Sequence, residues 1–463
     1  MTPSFYSWGA CQEVTGSKHF IDTGTHRTMI DCGMFQGHRE ETFQRNTMLP
    51  FDPGEVDAVL LTHAHFDHSG NLPTLVKNGY AGNIYCTSAT RDLTNLILLD
   101  SAHIQQKDAE FAHKRAKGFV QEPLYDEEDV ASTMGLMSTS GYDHSFPIPG
   151  GTVTFRDAGH ILGSSLVTLA LNGGPVIGLT GDLGRPGLPI LRDPQPFPRL
   201  DYLVCESTYG DRLHGSLPDV LDRLAAVLNR AVARNGKVII PAFAVERTQE
   251  IIYCLHLLKD RRAIPVDLPM FVDSPMAISA TEIFRMHPEC FDAESRRLFR
   301  EHAHNPFGFE GLHYVRHVEE SKALNNMTGP MVIISASGMC EAGRVLHHLR
   351  NNIENAANII LIVGFMAENT LGRRLVDGHK QVSIFGELHR VAAEIEIMNA
   401  FSAHADYEEI KWFLERLDRS ALKEIILVHG EEAAQLSLKE RLHSWGFPRV
   451  TIARYDERYD LGR

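Results

Sequence analysis

Five short apolar runs in this chain end on a residue able to hold a metal ion or move a proton. Thr28-Met29-Ile30 leads into Asp31, Val59 to Thr62 into His63, Val176 to Gly181 into Asp182, Tyr202 to Cys205 into Glu206, and Ile425 to Val428 into His429. In a layered α/β fold a buried sheet holds such strand ends rigid, while the loops leaving them face a cleft. Five tips of this kind predict one site assembled from distant parts of the sequence.

The densest signal is Thr62-His63-Ala64-His65-Phe66-Asp67-His68, directly after the apolar Val59-Leu60-Leu61. Residues i and i+2 of an extended chain share a side, so His63 and His65 can grip one ion. A turn into a helix at Ser69-Gly70-Asn71-Leu72-Pro73 can present Asp67 and His68 to a second ion beside the first. Three imidazoles and a carboxylate within six residues suit zinc, with manganese or iron admissible where more oxygen ligands join. The seven cysteines are odd in number and widely spaced, which fits neither a zinc knuckle nor a disulfide framework, and they are expected to be reduced and mostly buried.

Between the second-to-last tip and the last lies a stretch of different rhythm. Helical patterns at Val220 to Ala233 and Thr248 to Leu258 alternate with apolar runs at Lys237 to Ile240, Pro269 to Val272, Met331 to Ile334 and Ile359 to Val363. Such alternation predicts a parallel sheet with helices on both faces, a doubly wound domain inserted into another fold. The expected organisation is therefore a first domain at 1–208, an insert at 209–387 and a completing part of the first domain at 388–463. The charges separate the same way, with 20 basic against 21 acidic residues in the insert and 25 against 38 elsewhere. A length of 463 residues with 43% hydrophobic and 22% charged positions fits two or three globular domains rather than a disordered or fibrous chain. The net charge of −14 excludes a uniformly basic nucleic-acid surface but leaves room for a local basic groove. No apolar run approaches the ~20 residues of a membrane span, and Met1 to Ala10 carries no secretory signal pattern. A cytoplasmic protein is the expectation.

His63-x-His65-x-Asp67-His68 resembles the signature of the metallo-β-lactamase superfamily. Asp31 matches the early acidic residue that orients the histidine loop in that family, His160 in Asp157-Ala158-Gly159-His160 matches its third histidine, and Asp182 in Thr180-Gly181-Asp182 its metal-bridging carboxylate. Three further segments, Ser335-Ala336-Ser337-Gly338-Met339, Gly343-Arg344-Val345-Leu346-His347-His348 and Gly364 to Leu375, resemble the β-CASP insert of metallo-β-lactamase-fold nucleases. Glu206 matches that family's motif A acid, His404 in Phe401-Ser402-Ala403-His404-Ala405-Asp406 its motif B histidine, and His429 in Leu427-Val428-His429-Gly430-Glu431 its motif C histidine. The likeness covers nearly the whole chain. It implies a bacterial RNA-processing type similar to the catalytic core of the eukaryotic pre-mRNA 3′-end endonuclease, with an αββα metallo-β-lactamase sandwich interrupted by the doubly wound β-CASP domain.

By that resemblance two zinc ions are implied, with manganese as an alternative. One would take His63, His65, His160 and Asp182, the other Asp67, His68, His429 and again Asp182. The catalytic set would be His404, held by Glu206, together with Asp67 and Asp31. Histidine at motif C favours RNA over DNA. The implied function is a metal-dependent ribonuclease that hydrolyses phosphodiester bonds of single-stranded RNA through a two-zinc-activated hydroxide, mainly endonucleolytic, with 5′-to-3′ exonucleolytic action as an additional expectation. Candidates for positioning substrate phosphates are Arg247, Ser337, Ser402 and Arg373 or its neighbour Arg374. Homodimerisation is expected from the family alone, and no membrane partner is expected. The competing readings are a small ester, thioester or lactam hydrolase on the same scaffold and a catalytically weak RNA-binding subunit.

Overall fold

The structure, a computed structural model, describes residues 2–37, 39–115, 122–214, 217–300, 305–364, 366, 369–398 and 402–462. Phe365, Ala367, Glu368 and Phe401 of the motif segments lie outside the described residues. The chain divides into two units, the first comprising Met1–Pro186, Arg192–Leu213 and Ala403–Arg463 and the second Gly187–Leu191 and His214–Ser402.

The first unit begins with strands β1 (Ser4–Ser7), β2 (His19–Asp22), β3 (Arg27–Ile30), β4 (Ala58–Leu60), β5 (Asn83–Cys86) and β6 (Met137–Thr139). It continues with β7 (Ser145–Ile148), β8 (Gly151–Asp157), β9 (Ser165–Leu171), β10 (Val176–Leu179) and β11 (Tyr202–Glu206). The second unit contributes β12 (Lys237–Pro241), β13 (Met270–Val272), β14 (Leu312–Tyr314), β15 (Met331–Ser335), β16 (Ile359–Ile362), β17 (Gln381–Ile384), β18 (Glu387–Arg390) and β19 (Glu394–Ile397). The first unit then closes with β20 (Glu424–Val428), β21 (Val450–Ile452) and β22 (Tyr459–Asp460).

Among the described residues the first unit holds two seven-stranded sheets, ordered β22-β1-β2-β3-β4-β5-β6 and β21-β20-β11-β10-β9-β8-β7. Successive side chains of a strand face opposite sides, and here both sides are apolar. Ile30, Leu60, Leu179, Val204, Ile426 and Val428 join one core cluster fed by both sheets. The alternate residues Met29, Val59 and Leu61 of the first sheet meet Leu72 and Leu75, which lie on the helix Leu72–Lys77. Leu203, Cys205, Ile425 and Leu427 of the second sheet meet Ile410, Phe413, Leu438 and Leu442, which lie on the helices Tyr407–Glu415 and Glu432–Ser444. These four layers are the αββα sandwich. Strands covered on both faces read as continuous apolar runs, which is why the strand positions were legible.

Direction matters more for the site than layering. β3 and β4 are parallel neighbours, with Ile30 opposite Leu60. β10, β11 and β20 are likewise parallel, with Leu179 opposite Val204 and Glu206 opposite Val428. Parallel strands leave a sheet at the same edge, so Asp31 and His63 exit together from one sheet, and Asp182, Glu206 and His429 from the other.

The second unit carries a parallel six-stranded sheet ordered β14-β13-β15-β12-β16-β19, with β17 and β18 as a separate antiparallel hairpin. The order with β12 and β15 at its centre is doubly wound, as expected. The insert's C-terminal side extends past 387, because β19 pairs with β16 from Ile359↔Glu394 to Ile362↔Ile397. That strand, Glu394-Ile395-Glu396-Ile397, does not read as a buried parallel strand. Its acids are met by Arg230 at 2.8 Å from each, and additionally by Arg234 and Arg223. All seven cysteines are free thiols, six of them buried. Among the described residues no helix is long and apolar enough to cross a membrane.

Candidate metal centre

The first unit gathers the strand-end residues into one buried cluster. His63 Nε2 lies 3.2 Å from His65 Nδ1 and 3.3 Å from Asp182 Oδ2, and His160 Nε2 lies 3.1 Å from His65 Nδ1 and 3.4 Å from Asp182 Oδ2. Four donors on a tetrahedron of zinc–ligand radius ~2.0–2.1 Å would stand roughly 3.3 Å apart. The observed edges match that figure. On the other side, His68 Nε2 is 3.3 Å from His429 Nε2 and 3.2 Å from Asp182 Oδ1, while His429 Nε2 is 3.4 Å from Asp67 Oδ2. The two groups His63, His65, His160, Asp182 and Asp67, His68, His429 each have their donor atoms within 4.8 Å of one another.

Electrostatics also calls for cations. Both oxygens of Asp182 are buried without a hydrogen-bond donor, a placement that is expensive for a carboxylate unless a positive charge compensates it. The imidazole nitrogens that converge around it approach one another to 3.1–3.3 Å, the spacing of donor atoms turned toward a common centre. Burial pushes His63 down to about 3 and His65 down to about 4, keeping both imidazoles neutral. Burial alone would raise Asp182, but the surrounding His429, His68 and His404 hold it well below the ordinary carboxylate range. The donor set fits a divalent metal ion, with Asp182 among the ligand atoms.

The cluster is held from behind by oxygen acceptors. Asp31 accepts from Thr62 N at 2.7 Å and Thr62 Oγ1 at 2.8 Å, and its Oδ2 lies 2.8 Å from His68 Nδ1. Asp31 thus contacts a histidine of the second donor group without belonging to any metal-capable group among the described residues. Thr62 Oγ1 is also 3.0 Å from His63 Nδ1. Thr208 Oγ1 donates to Glu206 Oε2 at 2.6 Å and lies 3.1 Å from His429 Nδ1. Neither threonine hydroxyl is among the residues that the sequence singles out. Thr208 follows a strand end by two positions, a signal too common to be read alone. Partners of this kind fix the ring and tautomer of a ligand histidine.

Local backbone explains how the ligands are aimed. The turn that carries Asp67 and His68 is a single helical turn, Phe66–Ser69. It is laced to the segment 17–34 by Ser17 N to Asp67 O, Cys32 N to His68 O and Met34 N to Phe66 O, all at 2.8–3.0 Å. Gly33 makes this contact possible, since a Cβ there would lie 1.6 Å from Asp67 O. Lys18, buried at 1% exposure, donates from Nζ to Gly33 O. Asp31 and His429 both adopt left-handed backbone, at φ 61° and 48°, a conformation that non-glycine residues keep mostly where surrounding structure enforces it.

His404 lies outside these two donor groups but joins Asp182, Glu206 and His429 in a third set whose ligand atoms also lie within 4.8 Å of one another. Its Nδ1 is 3.1 Å from both oxygens of Glu206, its Nε2 is 3.8 Å from Asp182 Oδ2, and its ring centroid is 4.6 Å from that of His160. Glu206 is fully buried and also accepts from Leu183 N at 2.6 Å. Burial opposes the charge on His404, but Glu206 and Asp182 overcome it and push its pKa up to about 10.

The four phosphate-positioning candidates belong to the second unit. Ser337 and Ser402 are half-buried, Ser337 accepting from Glu341 N at 3.3 Å. Arg373 pairs with Asp377 at 2.9 Å. Arg247 is 9% exposed and its Nη1 lies 2.6 Å from Glu250 Oε2, so this guanidinium braces its own helix instead of presenting charge to solvent.

Three family profiles match the chain. Residues 16–242 match the metallo-beta-lactamase superfamily, 248–375 the Beta-Casp domain, and 388–450 the Zn-dependent metallo-hydrolase RNA specificity domain. The chain is 36% identical to ribonuclease TTHA0252 of Thermus thermophilus across 97% of its own length and 98% of that protein's. It is 31% identical to transcription termination factor FttA of Methanosarcina mazei across 94% of its own length and 68% of that protein's. A crystal structure of a protein of unknown function from Enterococcus faecalis superposes with a TM-score of 0.59 at 11% identity, covering 99% of this chain and all of that one, a likeness of fold. With all three profiles in order and a full-length relative above 30% identity, the chain belongs to the β-CASP family of metallo-β-lactamase-fold metallo-hydrolases.

Proposed function

We propose that this protein is a two-zinc ribonuclease that cuts single-stranded RNA, mainly at internal phosphodiester bonds. His63, His65, His160 and Asp182 would hold one ion, and Asp67, His68, His429 and Asp182 the other. Two divalent ions held there would supply Lewis acidity toward a phosphoryl oxygen and would lower the pKa of water toward neutrality. An RNA substrate is supported by the match of residues 388–450 to an RNA specificity domain and by a full-length relative named a ribonuclease.

The observation that carries the reading is the placement of His404. Glu206 engages Nδ1 with both oxygens at 3.1 Å, which fixes the ring and leaves Nε2 as the nitrogen that can hold a transferable proton. That nitrogen faces the donor cluster from 3.8 Å. As the phosphorus–oxygen bond to the leaving group breaks, the proton on Nε2 passes to the departing oxygen, the work of a general acid. Before that transfer, the imidazolium also offsets negative charge developing on the phosphoryl group. Asp31, Thr62 and Thr208 move no proton and hold the ligand rings in register.

The test is digestion of 5′-labelled single-stranded RNA by zinc-replete protein, with a chelator-treated sample and His404→Ala alongside. Internal fragments are expected from the wild type and neither control, while His404→Ala keeps its metal content. Undiminished cleavage by His404→Ala overturns the role given to it. No cleavage by the zinc-replete wild type, with turnover of a small ester or thioester, overturns the RNA reading in favour of the ester hydrolase.

A further inference from the structure

The doubly wound sheet of the second unit has a place where its connections diverge. β12 and β15 are parallel neighbours in register from Lys237↔Met331 to Pro241↔Ser335. The chain leaving β12 returns as β13, beyond β15, whereas the chain leaving β15 returns as β16, beyond β12. Right-handed crossovers running in opposite directions put their helices on opposite faces of the sheet, and the strands' C-terminal ends at such a switch point are where ligands bind in sheets of this kind. The loops leaving those ends are 242–246 and 336–343.

One side chain there is anomalous. Every residue from Gly236 to His256 is buried except Phe243, which is 46% exposed. Its ring lies on the opposite loop at Gly338. A Cβ at 338 would come within 2.9–3.0 Å of three ring atoms, Cγ, Cδ2 and Cε2, so one face of the ring rests on bare backbone and glycine is needed to let it. The loop beneath is firmly tied. Thr248 Oγ1 donates to Phe243 O at 2.7 Å, Gln249 Nε2 donates to Ala244 O at 3.2 Å, and Ala242 N donates to Ser335 O at 3.1 Å. An exposed aromatic ring that is backed by backbone and held in place is a stacking platform.

Charge says what kind of ligand suits it. The insert is nearly neutral in sequence, and two of its candidate phosphate-binding arginines are already paired with Glu250 and Asp377. A nucleic acid held by this unit needs a handhold other than net positive charge. Aromatic stacking supplies one for any base, because every base presents a π-face.

We infer that Phe243 is a base-stacking platform, binding one nucleobase of the RNA substrate on its exposed ring where the loops that follow β12 and β15 meet. The inference rests on the RNA reading above and adds a residue outside the metal centre that governs substrate affinity. It assigns Phe243 to binding, with no part in the chemical step.

The test uses the full chain with its metal content intact. Binding of a fluorescently labelled single-stranded RNA is measured by anisotropy in the His404→Ala background, and cleavage is followed separately in proteins with His404 present. Phe243→Ala and Phe243→Leu are expected to weaken RNA binding about tenfold and raise KM to a similar extent, leaving kcat and the melting temperature unchanged, while Phe243→Trp keeps wild-type affinity. Replacing single nucleotides by abasic ones should reveal one position at which the loss falls on the Phe243-containing protein and not on Phe243→Ala. Equal affinity for Phe243→Ala and its parent overturns the platform, and so does full retention by Phe243→Leu, which would mean apolar contact without stacking. RNA that is bound in a Phe243-dependent way yet never cleaved by the wild type overturns the ribonuclease reading and leaves the platform standing. RNA that is neither bound nor cleaved overturns both.

Discussion

Replacing Gly33 by alanine tests whether the second donor group depends on a backbone contact rather than on its ligands alone. The added Cβ would sit 1.6 Å from Asp67 O, 2.1 Å from Asp67 C and 2.7 Å from His68 N. Real Cβ atoms do not approach backbone closer than 3.0 Å, so the Asp67–His68 peptide must retreat by at least about 1.4 Å, and no flexible side chain is available to yield instead. Ligand positions tolerate only ~0.2 Å about their working distances. Such a displacement therefore withdraws Asp67 and His68 while leaving the His63, His65, His160 group largely in place. It also strains the bonds from Ser17 N and Cys32 N to this turn. Overpacking at ~1–3 kcal/mol and one or two weakened hydrogen bonds at ~0.5–1.5 kcal/mol each give a destabilisation of roughly 1.5–6 kcal/mol. Zinc per chain, measured by elemental analysis after desalting, should fall from two towards one, with RNA cleavage lost and far-UV circular dichroism retained. Gly135→Ala, where nothing lies within 4 Å of the new Cβ, is the matched control. Two tightly held zinc ions and unchanged kcat in Gly33→Ala would refute the reasoning.

Thr208→Val, nearly isosteric, removes the hydroxyl that lies between Glu206 and His429. It should reduce metal affinity or kcat roughly ten- to hundredfold, Thr208→Ser restoring most of it, and wild-type titration of the second zinc in Thr208→Val would contradict this. Lys18 gives a pH signature, because burial lowers its folded-state pKa to about 8 against about 10.4 in an unfolded chain. Between those values the unfolded state binds the extra proton, so stability rises with pH across the window, by about 3 kcal/mol in total. Denaturant unfolding of wild type and Lys18→Met from pH 7.5 to 10.5 should diverge accordingly, and parallel curves would count against it.

How much of this could be read beforehand follows from which contacts are local. Strand tips at Asp31, His63, Asp182, Glu206 and His429 were legible because their strands are sandwiched between apolar layers, so a polar residue ending such a run stands out. His63 and His65 declared themselves by spacing. His160 and His404 have no such local signature and were placed through the family pattern. Thr62 and Thr208 acquire their roles from imidazoles and carboxylates brought up by other strands, His429 being 221 positions from Thr208, and no local pattern marks a hydroxyl for that. β19 escaped notice for another reason: its glutamates look solvated until Arg223, Arg230 and Arg234 are brought beside them. Arg247 shows the converse, a basic residue at a helix start that reads as an anion ligand and is turned inward to Glu250.

The pairing of β11 with β20 has a consequence in time. Glu206 ends one of these strands and Glu424 begins the other, so their bonds join segments separated by about 218 residues of chain. At a synthesis rate of roughly 5–20 residues per second, β11 waits about 10–40 s for the neighbour that covers its edge. During that interval Tyr202-Leu203-Val204-Cys205 is an unpaired, wholly apolar edge of the kind that recruits stray strands. His429 arrives only at the end of the same interval. The first donor group can therefore close on the growing chain long before the second, and zinc loading should occur in two steps, the later one gated by completion of the sheet.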